Sequence, residues 1–465
     1  MRTDTIAAIA TAVSDSGIGI IRISGDDAIE VADRVYRSKN NKKRLTKVES
    51  HTIHYGFIYD EDELIDEVMV VVMKAPNTYT RENVVEIDCH GGILVMNKIL
   101  DVILKNGCRL AEPGEFTKRA FLNGRIDLSR AEAVMDIIHS KNEFALKSSI
   151  KQLKGAVSDQ VRSLREDILY EIAYIESALD DPEHISLEGY HEKLEAKAIK
   201  ISSELKKLID SADNGKMLKD GINTVIVGKP NAGKSSLLNL LVGEDKAIVT
   251  SVAGTTRDVL EESIKLHGVG LNIIDTAGIR DTEDEVEKIG VDKARKYAES
   301  ADLIIYVVDA SRELDENDEE IIRLIADKKV IVLLNKTDLE QVVTEEQISE
   351  KISCVLENKT ARIIRTSTKE NTGIDEFEQT IKDLFFNGEI SVNDEIYITN
   401  QRHKEALTEA YESMKLVLKS LEDDMPEDFY SIDLMSAYAS LGRIIGEEVG
   451  DDLVNEIFSK FCMGK

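Results

Sequence analysis

The sequence predicts a protein that combines α/β and all-α regions. Between about residues 223 and 366, strand-like and helical segments alternate, which is typical of a doubly wound and mostly parallel sheet. From about Phe116 to Asp213, and again from about Arg402 to the C-terminus, apolar residues recur at helical spacing. Residues 1 to about 119 instead mix strands with helices.

The alternating region contains six strand candidates, and helical segments follow most of them. The candidates are Asn223–Val227, Val259–Leu266, Leu271–Ile274, Leu303–Asp309, Val330–Asn335 and Arg362–Thr366. This region lies between the two helical stretches. The simplest architecture is therefore an α/β domain inserted into a helical domain that is built from two separated segments.

The first helical stretch has the period of amphipathic helices packed in a bundle. Its apolar residues include Val157, Val161, Leu164, Ile168, Leu169, Ile172 and Ile175. In the N-terminal region the pattern is mixed instead. The strand candidates there are Gly17–Ser24, Glu67–Lys74 and Asn83–Cys89, and the helical ones are Asp26–Tyr36 and Ile93–Asn106.

Length and composition exclude several classes of protein. A chain of 465 residues favours about two to three domains, and a hydrophobic fraction of 42% is globular. No stretch approaches the roughly 20 apolar residues of a membrane span, and the first residues lack the pattern of a secretory signal. The four cysteines are far apart, which indicates reduced thiols. We therefore expect a cytoplasmic protein with no membrane span.

The charge balance restricts how the chain can meet nucleic acid. The formal net charge is −29, from 59 basic and 88 acidic residues. A chain this acidic is repelled by a phosphate backbone as a whole, so a local basic patch or a basic partner would have to supply the attraction. The simpler interpretation is that the charge keeps an abundant protein soluble.

The segment Gly228–Ser235 matches the phosphate-binding P-loop pattern. It follows an apolar strand candidate and precedes a helical run, Ser236–Leu241, which is the context that such a loop requires. Its glycines allow backbone N–H groups to surround phosphate oxygens. We expect Lys234 to place a positive charge on the β- and γ-phosphates and the Ser235 hydroxyl to bind Mg²⁺.

Two further segments complete the expected phosphate site. Asp275–Gly278 follows the strand candidate Leu271–Ile274, so its carboxylate can hold the water shell of Mg²⁺ and its glycine can turn an N–H toward a γ-phosphate. Gly254–Asp258 lies in the loop between this segment and the P-loop. Within it, Thr256 is the best candidate for a second hydroxyl ligand to Mg²⁺.

A third group of motifs predicts the choice of base. Asn335–Asp338 ends an apolar strand candidate, and Asp338 can accept hydrogen bonds from N1–H and the 2-amino group of guanine, a pair of donors that adenine lacks. Ser367–Lys369 follows the last strand candidate and can support the base through main-chain N–H groups. Four motifs in this order predict a Ras-like P-loop domain that binds and hydrolyses GTP.

The expected GTP contacts come from these motifs and from the residues just before Gly254. They are Asn231, Ala232, Gly233, Lys234, Ser235, Ser236, Thr250, Ser251, Val252, Ala253, Gly254, Thr255, Thr256, Asp275, Thr276, Ala277, Gly278, Asn335, Lys336, Thr337, Asp338, Ser367, Thr368 and Lys369.

The position after Gly278 departs from the Ras pattern. Ras-type enzymes orient the attacking water with a Gln near this position, whereas this chain has Ile279. The acidic segment Asp281–Glu287 follows and offers several carboxylates for this role. Alternatively these residues form an acidic helix start, which the helix dipole favours. Both interpretations can hold for different residues of the segment.

Further segments stand out beside the G motifs, which are shared with many GTPases. They are Arg22–Gly25, His90–Gly92, Pro113–Phe116, Ala120–Asn123 and the C-terminal Cys462–Lys465. Together with Pro230–Ser236 and Gly254–Asp258, these segments resemble the MnmE (TrmE) family of tRNA-modification GTPases over essentially the whole chain. Pro113–Phe116 and Cys462–Lys465 are the specific markers of this resemblance.

The resemblance implies three domains. An N-terminal α/β domain (1–119) would bind 5-formyl- or methylene-tetrahydrofolate and form a homodimer, and a discontinuous helical domain (120–216 and 386–465) would carry an inserted Ras-like G domain (217–385). The chain would act with the FAD-dependent protein MnmG (GidA) in a heterotetramer. Together they would add an aminomethyl or carboxymethylaminomethyl group at C5 of the wobble uridine in certain tRNAs, with the tRNA bound largely through the partner.

The resemblance also assigns residues. The G domains of a dimer would meet across K⁺ when GTP is bound, and this ion would supply the charge that an arginine finger supplies elsewhere. Glu287 would position the attacking water. The residues around K⁺ would be Asn231, Thr250, Val252 and Thr255. The folate contacts would be Arg22, Glu86, Arg125 and Lys465.

Two positions differ from residues that are common in the family. Arg125 stands where some members have Lys, so the charge is kept. Thr80-Arg81-Glu82-Asn83 replaces the commoner Thr-Gly-Glu-Asp, which leaves the conformation of this loop open. Cys462 has either a chemical role or the role of a packed thiol.

Two other functions compete with a tRNA-modifying GTPase. The first is a GTPase switch that docks on ribosomal RNA, but such proteins usually carry a basic RNA-binding domain and this chain has a net charge of −29. The second is a folate-storage or dimerisation scaffold with a vestigial G domain. Four intact G motifs count against that scaffold.

Overall fold

The computed structural model of the chain describes residues 4–40, 42–185, 188–243, 261–266, 269–274, 301–325, 328–353, 361–386 and 397–462, together with Gly464. The chain divides into two compact units. Unit 1 consists of Met1–Ile138, Lys151–Ser202 and Glu409–Lys465, and unit 2 of His139–Ile150 and Ser203–Thr408.

A seven-stranded sheet forms the N-terminal part of unit 1. Its strands are β1 (Ile6–Ile9), β2 (Ser16–Ser24), β3 (Tyr36–Arg37), β4 (Thr52–Asp60), β5 (Glu63–Met73), β6 (Val84–Gly91) and β7 (Arg109–Leu110). They lie in the order β3-β4-β5-β6-β2-β1-β7. Neighbouring strands are antiparallel except β1 and β7, which are parallel.

Two helices, α1 (Ala28–Val35) and α2 (Ile93–Lys105), cover one face of this sheet. Because side chains alternate between the two faces of a strand, Val70 of β5 is fully buried under these helices while its neighbour Met69 remains 46% exposed. The other face is exposed at β4 and β5, whereas at β1 it is covered by a second buried cluster around Phe116.

The helical part of the described chain lies before and after the second sheet. Its helices are α3 (Glu115–Leu122), α4 (Leu128–Ile138), α5 (Glu143–Lys154), α6 (Ala156–Asp180), α7 (Tyr190–Asp220), α12 (Gln401–Glu422), α13 (Glu427–Ile445) and α14 (Asp451–Ser459). Within unit 1, α6 packs along α13. Residues of α3, α4 and α14 share a small core around Phe458, which is 1% exposed.

Unit 2 contains a six-stranded sheet. Its strands are β8 (Ile222–Val227), β9 (Glu261–Leu266), β10 (Val269–Ile274), β11 (Leu303–Asp309), β12 (Val330–Asn335) and β13 (Arg362–Arg365). They lie in the order β13-β12-β11-β8-β10-β9, and β9 is the antiparallel strand at one edge. The carboxyl ends of the parallel strands therefore meet at one edge of the sheet.

Helices cover both faces of this sheet. The first face packs against α8 (Lys234–Gly243) and α11 (Ile374–Phe386), with Phe377 fully buried. The second packs against α9 (Glu316–Leu324) and α10 (Glu345–Ser353). Strands buried on both sides read as continuous apolar runs, which explains why β11 and β12 were predicted correctly from the sequence.

The predicted fold class is confirmed, with an α/β N-terminal part, a helical part and a doubly wound P-loop region. The strands β1, β3, β4 and β7 were not predicted. β1 has only 4 residues and β3 and β7 have 2 each. β4 turns His54 and Gly56 inward, so its buried positions lack apolar alternation. Leu169 is 45% exposed rather than buried, because it follows Ile168 directly and a helix turns by about 100° per residue.

No described helix is both long and apolar enough to cross a membrane.

Candidate functional site

The P-loop connects the end of β8 to the start of α8. Its backbone has positive φ angles of 62° at Asn231 and 108° at Gly233. A Cβ on Gly233 would lie 2.1 Å from Nδ2 of Asn335. Glycine is therefore required at position 233 both for its backbone conformation and for the close approach of Asn335.

Asn335, at the end of β12, connects two of the predicted motifs. It is 1% exposed. Its Nδ2 donates a 2.8 Å hydrogen bond to the carbonyl of Ala232, and its Oδ1 accepts a 3.2 Å bond from the N–H of Thr368. One buried amide thus joins the P-loop to the segment after β13, which the sequence predicted only as separate motifs.

Three polar residues at the P-loop, Asn231, Ser235 and Ser236, are exposed. The Lys234 ammonium donates to the carbonyls of Gly228 at 2.7 Å and Lys229 at 2.8 Å. Since Lys234 and Ser235 form the first turn of α8, the positive end of the helix dipole adds to the attraction for an anion.

Lys229 has a role that the sequence did not reveal. Its Nζ lies 2.7 Å from a carboxylate oxygen of Asp318 and 3.0 Å from one of Asp315. Asp318 is 1% exposed and also accepts a 2.8 Å bond from the Tyr306 hydroxyl. Burial acts to lower the pKa of Lys229, but the hydrogen bonds to Asp318 and Asp315 outweigh it and raise the pKa. The P-loop is thereby tied to the start of α9.

The predicted guanine-reading residues lie together. Asp338 accepts a 2.8 Å hydrogen bond from the Ser367 hydroxyl, and the ammonium of Lys369 is 3.9 Å from its carboxylate. The Thr337 hydroxyl donates to the carbonyl of Thr366 at 3.0 Å. These contacts hold the two loops that follow β12 and β13 against each other.

Asp309 positions Lys336, another contact that the sequence did not predict. Lys336 has a positive φ of 65°, and its ammonium donates a 2.6 Å hydrogen bond to Asp309 at the end of β11. Burial acts to raise the pKa of Asp309, but hydrogen bonds from Lys336 and Ser311 outweigh it and hold the pKa below its usual value. The signal in the sequence was a carboxylate at the end of a buried strand.

Many predicted residues lie outside the described part of the chain. They are Thr250, Ser251, Val252, Ala253, Gly254, Thr255, Thr256, Asp275, Thr276, Ala277, Gly278, Ile279, Glu287 and Lys465. The described part of β10 ends at Ile274, immediately before Asp275.

A second cluster lies in unit 1 and contains three of the four predicted folate contacts. Arg22 on β2 pairs with Glu86 on β6 at 2.7 Å. The guanidinium groups of Arg22 and Arg125 lie 5.6 Å and 4.6 Å from the centre of the Tyr79 ring. Tyr79 itself was not predicted, because an aromatic residue in a loop has no motif that marks it.

The C-terminal segment reaches this cluster. Arg22 donates a 3.0 Å hydrogen bond to the carbonyl of Gly464. The N–H of Gly114 donates to the carbonyl of Cys462 at 3.3 Å, and a Cβ on Gly114 would lie 2.6 Å from the carbonyl oxygen of Phe458. The two segments that are specific to the resembled family are therefore in contact. The thiol of Cys462 is exposed, so the packed-thiol interpretation is wrong.

The loop that departs from the family pattern has a defined conformation. Arg81 has a positive φ of 62°, which a glycine would adopt at lower cost. Its guanidinium donates a 2.8 Å hydrogen bond to the carbonyl of Asn123. Glu82 is 8% exposed and accepts a 2.7 Å bond from the Ser24 hydroxyl.

No cluster of three or more His, Cys, Asp or Glu residues suited to a metal ion occurs among the residues that the structure describes. Ser235 and Asn231 at the P-loop are exposed and carry side-chain oxygen atoms. These oxygen donors suit Mg²⁺ and K⁺, since both are hard cations.

Comparison with known proteins covers the whole chain. The family model "GTP-binding protein TrmE N-terminus" matches residues 5–125, and "MnmE helical domain" matches residues 128–462. A "tRNA modification GTPase MnmE" from Lachnoclostridium phytofermentans is 60% identical over 465 residues and covers 100% of both chains. A protein of the same name from Bacillus mycoides is 49% identical, again over 100% of both chains.

Among solved structures, a crystal structure of Era from Aquifex aeolicus bound to GDP and AlF4⁻ is 29% identical, covers 42% of this chain and 67% of its own, and has a TM-score of 0.28. The family assignment rests on the sequence comparisons over the full length. Because both family models match and a relative is 60% identical from end to end, the chain belongs to the MnmE (TrmE) family of tRNA modification GTPases.

Proposed function

We propose that this chain hydrolyses GTP in a cycle that, with the FAD-dependent partner MnmG (GidA), adds an aminomethyl or carboxymethylaminomethyl group at C5 of the wobble uridine in certain tRNAs. The observation that supports the GTP site best is the buried amide of Asn335, which bonds both the P-loop and the segment at Thr368. The loops that contact the phosphates and the base of a nucleotide must keep fixed positions relative to each other, and the Asn335 side chain joins these two loops.

Recognition of the base is assigned to Asp338. The Ser367 hydroxyl orients its carboxylate, which leaves an acceptor for the two donors of guanine. The phosphates are assigned to Lys234 and to the backbone N–H groups at the start of α8. Moving from the loop carbonyls to a phosphate would exchange neutral acceptors for a charged one, which strengthens the hydrogen bonds of Lys234.

Ser235 and Thr256 are proposed to hold Mg²⁺, and Asn231, Thr250, Val252 and Thr255 are proposed to surround K⁺. The cations would neutralise charge on the phosphates. Hydrolysis is expected to be much faster in K⁺ than in Na⁺ at equal ionic strength, and Asn231→Ala is expected to remove most of the difference. Equal rates of the unaltered protein in the two salts would contradict the K⁺ assignment.

The resemblance to the family selects Glu287 as the residue proposed to orient the attacking water, a role that Ile279 cannot take because its side chain has no polar atom. A carboxylate is repelled by the γ-phosphate, so it would act through a bridging water. Glu287→Ala is expected to bind GTP normally but to turn over about 10²-fold more slowly, whereas Glu283→Ala and Glu285→Ala change little. A Glu287→Ala protein that cannot bind GTP would refute this role.

Unit 1 is proposed to bind 5-formyl- or methylene-tetrahydrofolate beside Arg22, Glu86, Arg125 and Lys465. The aromatic ring of Tyr79 with two guanidinium groups on it offers both a stacking surface and positive charge. Calorimetry with 5-formyltetrahydrofolate should give measurable heat for the full chain and weaker binding for Arg125→Ala. The absence of heat from the full chain would remove the assignment.

A homodimer is proposed to form through the exposed β4–β5 part of the seven-stranded sheet, on the face opposite α1 and α2. Ile53, Tyr55 and Met69 on this face are 64, 51 and 46% exposed, and large exposed apolar surfaces mark interfaces. Sedimentation should give a dimer for the chain and a smaller species for Ile53→Asp. We propose that each protomer has three domains, with the boundaries 1–119, 120–216 with 386–465, and 217–385. We assign the protein to the cytoplasm.

The experiment that tests the proposed function is analysis of the wobble uridines in tRNA from cells that lack this chain. Unmodified C5 positions should accumulate, and the parent gene should restore the modification while Glu287→Ala should not. Normal wobble uridines in the deletion strain would exclude the function.

A further inference from the structure

The segment 38–48 has a charge opposite to that of the chain. It contains five basic residues and no acidic one, in a protein with a net charge of −29. We call it the basic segment. Its cationic side chains are all exposed: Lys39, Lys42, Lys43, Arg44 and Lys47. Only residue 41 of this segment lies outside the described part of the chain.

The basic segment is anchored to the fold at several points. Leu45 is fully buried, and its N–H donates a 2.5 Å hydrogen bond to Asp33. The N–H of Lys43 donates to the Ser38 hydroxyl at 3.2 Å, and Leu45–Lys47 form a turn of 3₁₀-helix. The backbone is thus held, so binding through its side chains would cost little ordering of the main chain.

Most of this charge is not neutralised by the protein. Arg44 lies 3.8 Å from Asp33. The acidic residues of the adjacent β4–β5 hairpin pair elsewhere, Asp62 with Arg37 and Asp60 with Lys105. In the part of the chain that the structure describes, no acidic side chain pairs with Lys39, Lys42, Lys43 or Lys47.

We propose that the basic segment binds the phosphate backbone of tRNA, an inference that rests on the proposed function. The acidic surface of the chain repels RNA, so an attractive contact requires a local cationic region of this kind. Lysines act as point charges on phosphates and provide position rather than sequence specificity. The contact would add to the binding of tRNA by the partner and orient the RNA relative to unit 1.

An anionic membrane is another polyanionic surface that a polybasic segment can bind. Membrane binding of such segments is usually reinforced by an apolar side chain that inserts into the lipid. Here Leu45 is fully buried in the protein, so the segment offers charge without that apolar anchor. RNA is therefore the better fit.

The test changes Lys39, Lys42, Lys43 and Lys47 together to Gln in the full-length chain. Binding of bulk tRNA is measured by fluorescence anisotropy over a range of salt concentrations. Each lost phosphate contact reduces the slope of log affinity against log salt by about 0.7–0.9. We expect the slope to fall by about 3 and the affinity at low salt to fall by at least about 10-fold, while basal GTP hydrolysis is unchanged.

The matched control removes the same charge from four exposed lysines on helices, Lys193, Lys207, Lys216 and Lys419. This variant should keep the slope of the parent. The inference is overturned if the parent does not bind tRNA at low salt, if the two variants lose affinity equally, or if only vesicles of phosphatidylglycerol bind the parent.

The wobble-uridine analysis separates this inference from the proposed function. If the deletion strain loses the modification but the four-lysine variant binds tRNA with the slope of the parent, only the role of the basic segment is wrong. If the deletion strain keeps the modification, the proposed function is wrong, and the salt slopes still decide whether the segment binds RNA.

Discussion

Replacement of Lys229 by Met tests the ion pair that ties the P-loop to α9. Methionine keeps an apolar stem of similar length but removes the ammonium that lies 2.7 Å from Asp318. The Asp318 carboxylate, 1% exposed, would keep its hydrogen bonds from the Tyr306 hydroxyl at 2.8 Å and from the N–H of Asp315 at 2.9 Å. It would then be a buried anion without a cation.

The expected loss of stability in Lys229→Met follows from these contacts. Removal of one partner from a buried ion pair usually costs about 3–5 kcal/mol, and the two remaining hydrogen bonds place Lys229→Met at the low end, about 3 kcal/mol. Asp315, the second partner of Lys229, is 53% exposed, and an exposed pair contributes about 0–1 kcal/mol. Asp315→Asn, which keeps the helix cap, is therefore the matched control.

The free energy of unfolding is best measured by urea titration with far-ultraviolet circular dichroism, because the chain contains no tryptophan. Affinity for GTP should fall in parallel, since the loop that Lys229 anchors carries the proposed phosphate contacts. Lys229→Arg should recover part of both losses. The reasoning is refuted if Lys229→Met lies within about 1 kcal/mol of the parent, or if Asp315→Asn is equally destabilising.

Three further predictions follow from single contacts. Arg81→Gly and Arg81→Ala both lose the hydrogen bond to Asn123. Arg81→Gly should nevertheless be neutral or stabilising by up to about 1 kcal/mol because it also relieves a positive φ, whereas Arg81→Ala keeps this φ and should be destabilising; urea titration of both variants decides. Because the pKa of Asp309 is depressed in the fold, its carboxylate stabilises the fold at pH values above 3.8, the ordinary pKa of Asp, and this stability is lost as the pH falls through the folded pKa. In an acid titration, Lys336→Met should lose less stability than the parent. An equal loss in the two proteins would contradict the coupling between Asp309 and Lys336. Asp338→Asn should lower GTP affinity and raise xanthosine triphosphate affinity, since xanthine has a carbonyl where guanine has an amine; unchanged GTP binding would exclude Asp338 as the guanine reader.

Short contiguous motifs account for what the sequence determined by itself. The P-loop Gly228–Ser235 was recognisable because glycines, a lysine and a hydroxyl must follow one another within a single turn to surround a phosphate. The strands β11 and β12 were recognisable because burial on both faces makes them continuously apolar. In both cases the determining interactions lie within a few residues along the chain.

Contacts between distant residues were decided only by the tertiary structure. Three hydrogen bonds join residues that are far apart in the sequence. Asn335 and Ala232 are separated by 103 residues, Lys229 and Asp315 by 86, and Arg22 and Gly464 by 442. Strand order and helix packing bring these groups together, and no local pattern specifies which partner a lysine or an amide will find. The same reason explains the basic segment, whose charge was visible in the sequence. Its exposure, and the lack of acidic partners for its four lysines among the described residues, depend on where β4, β5 and α1 place the surrounding carboxylates.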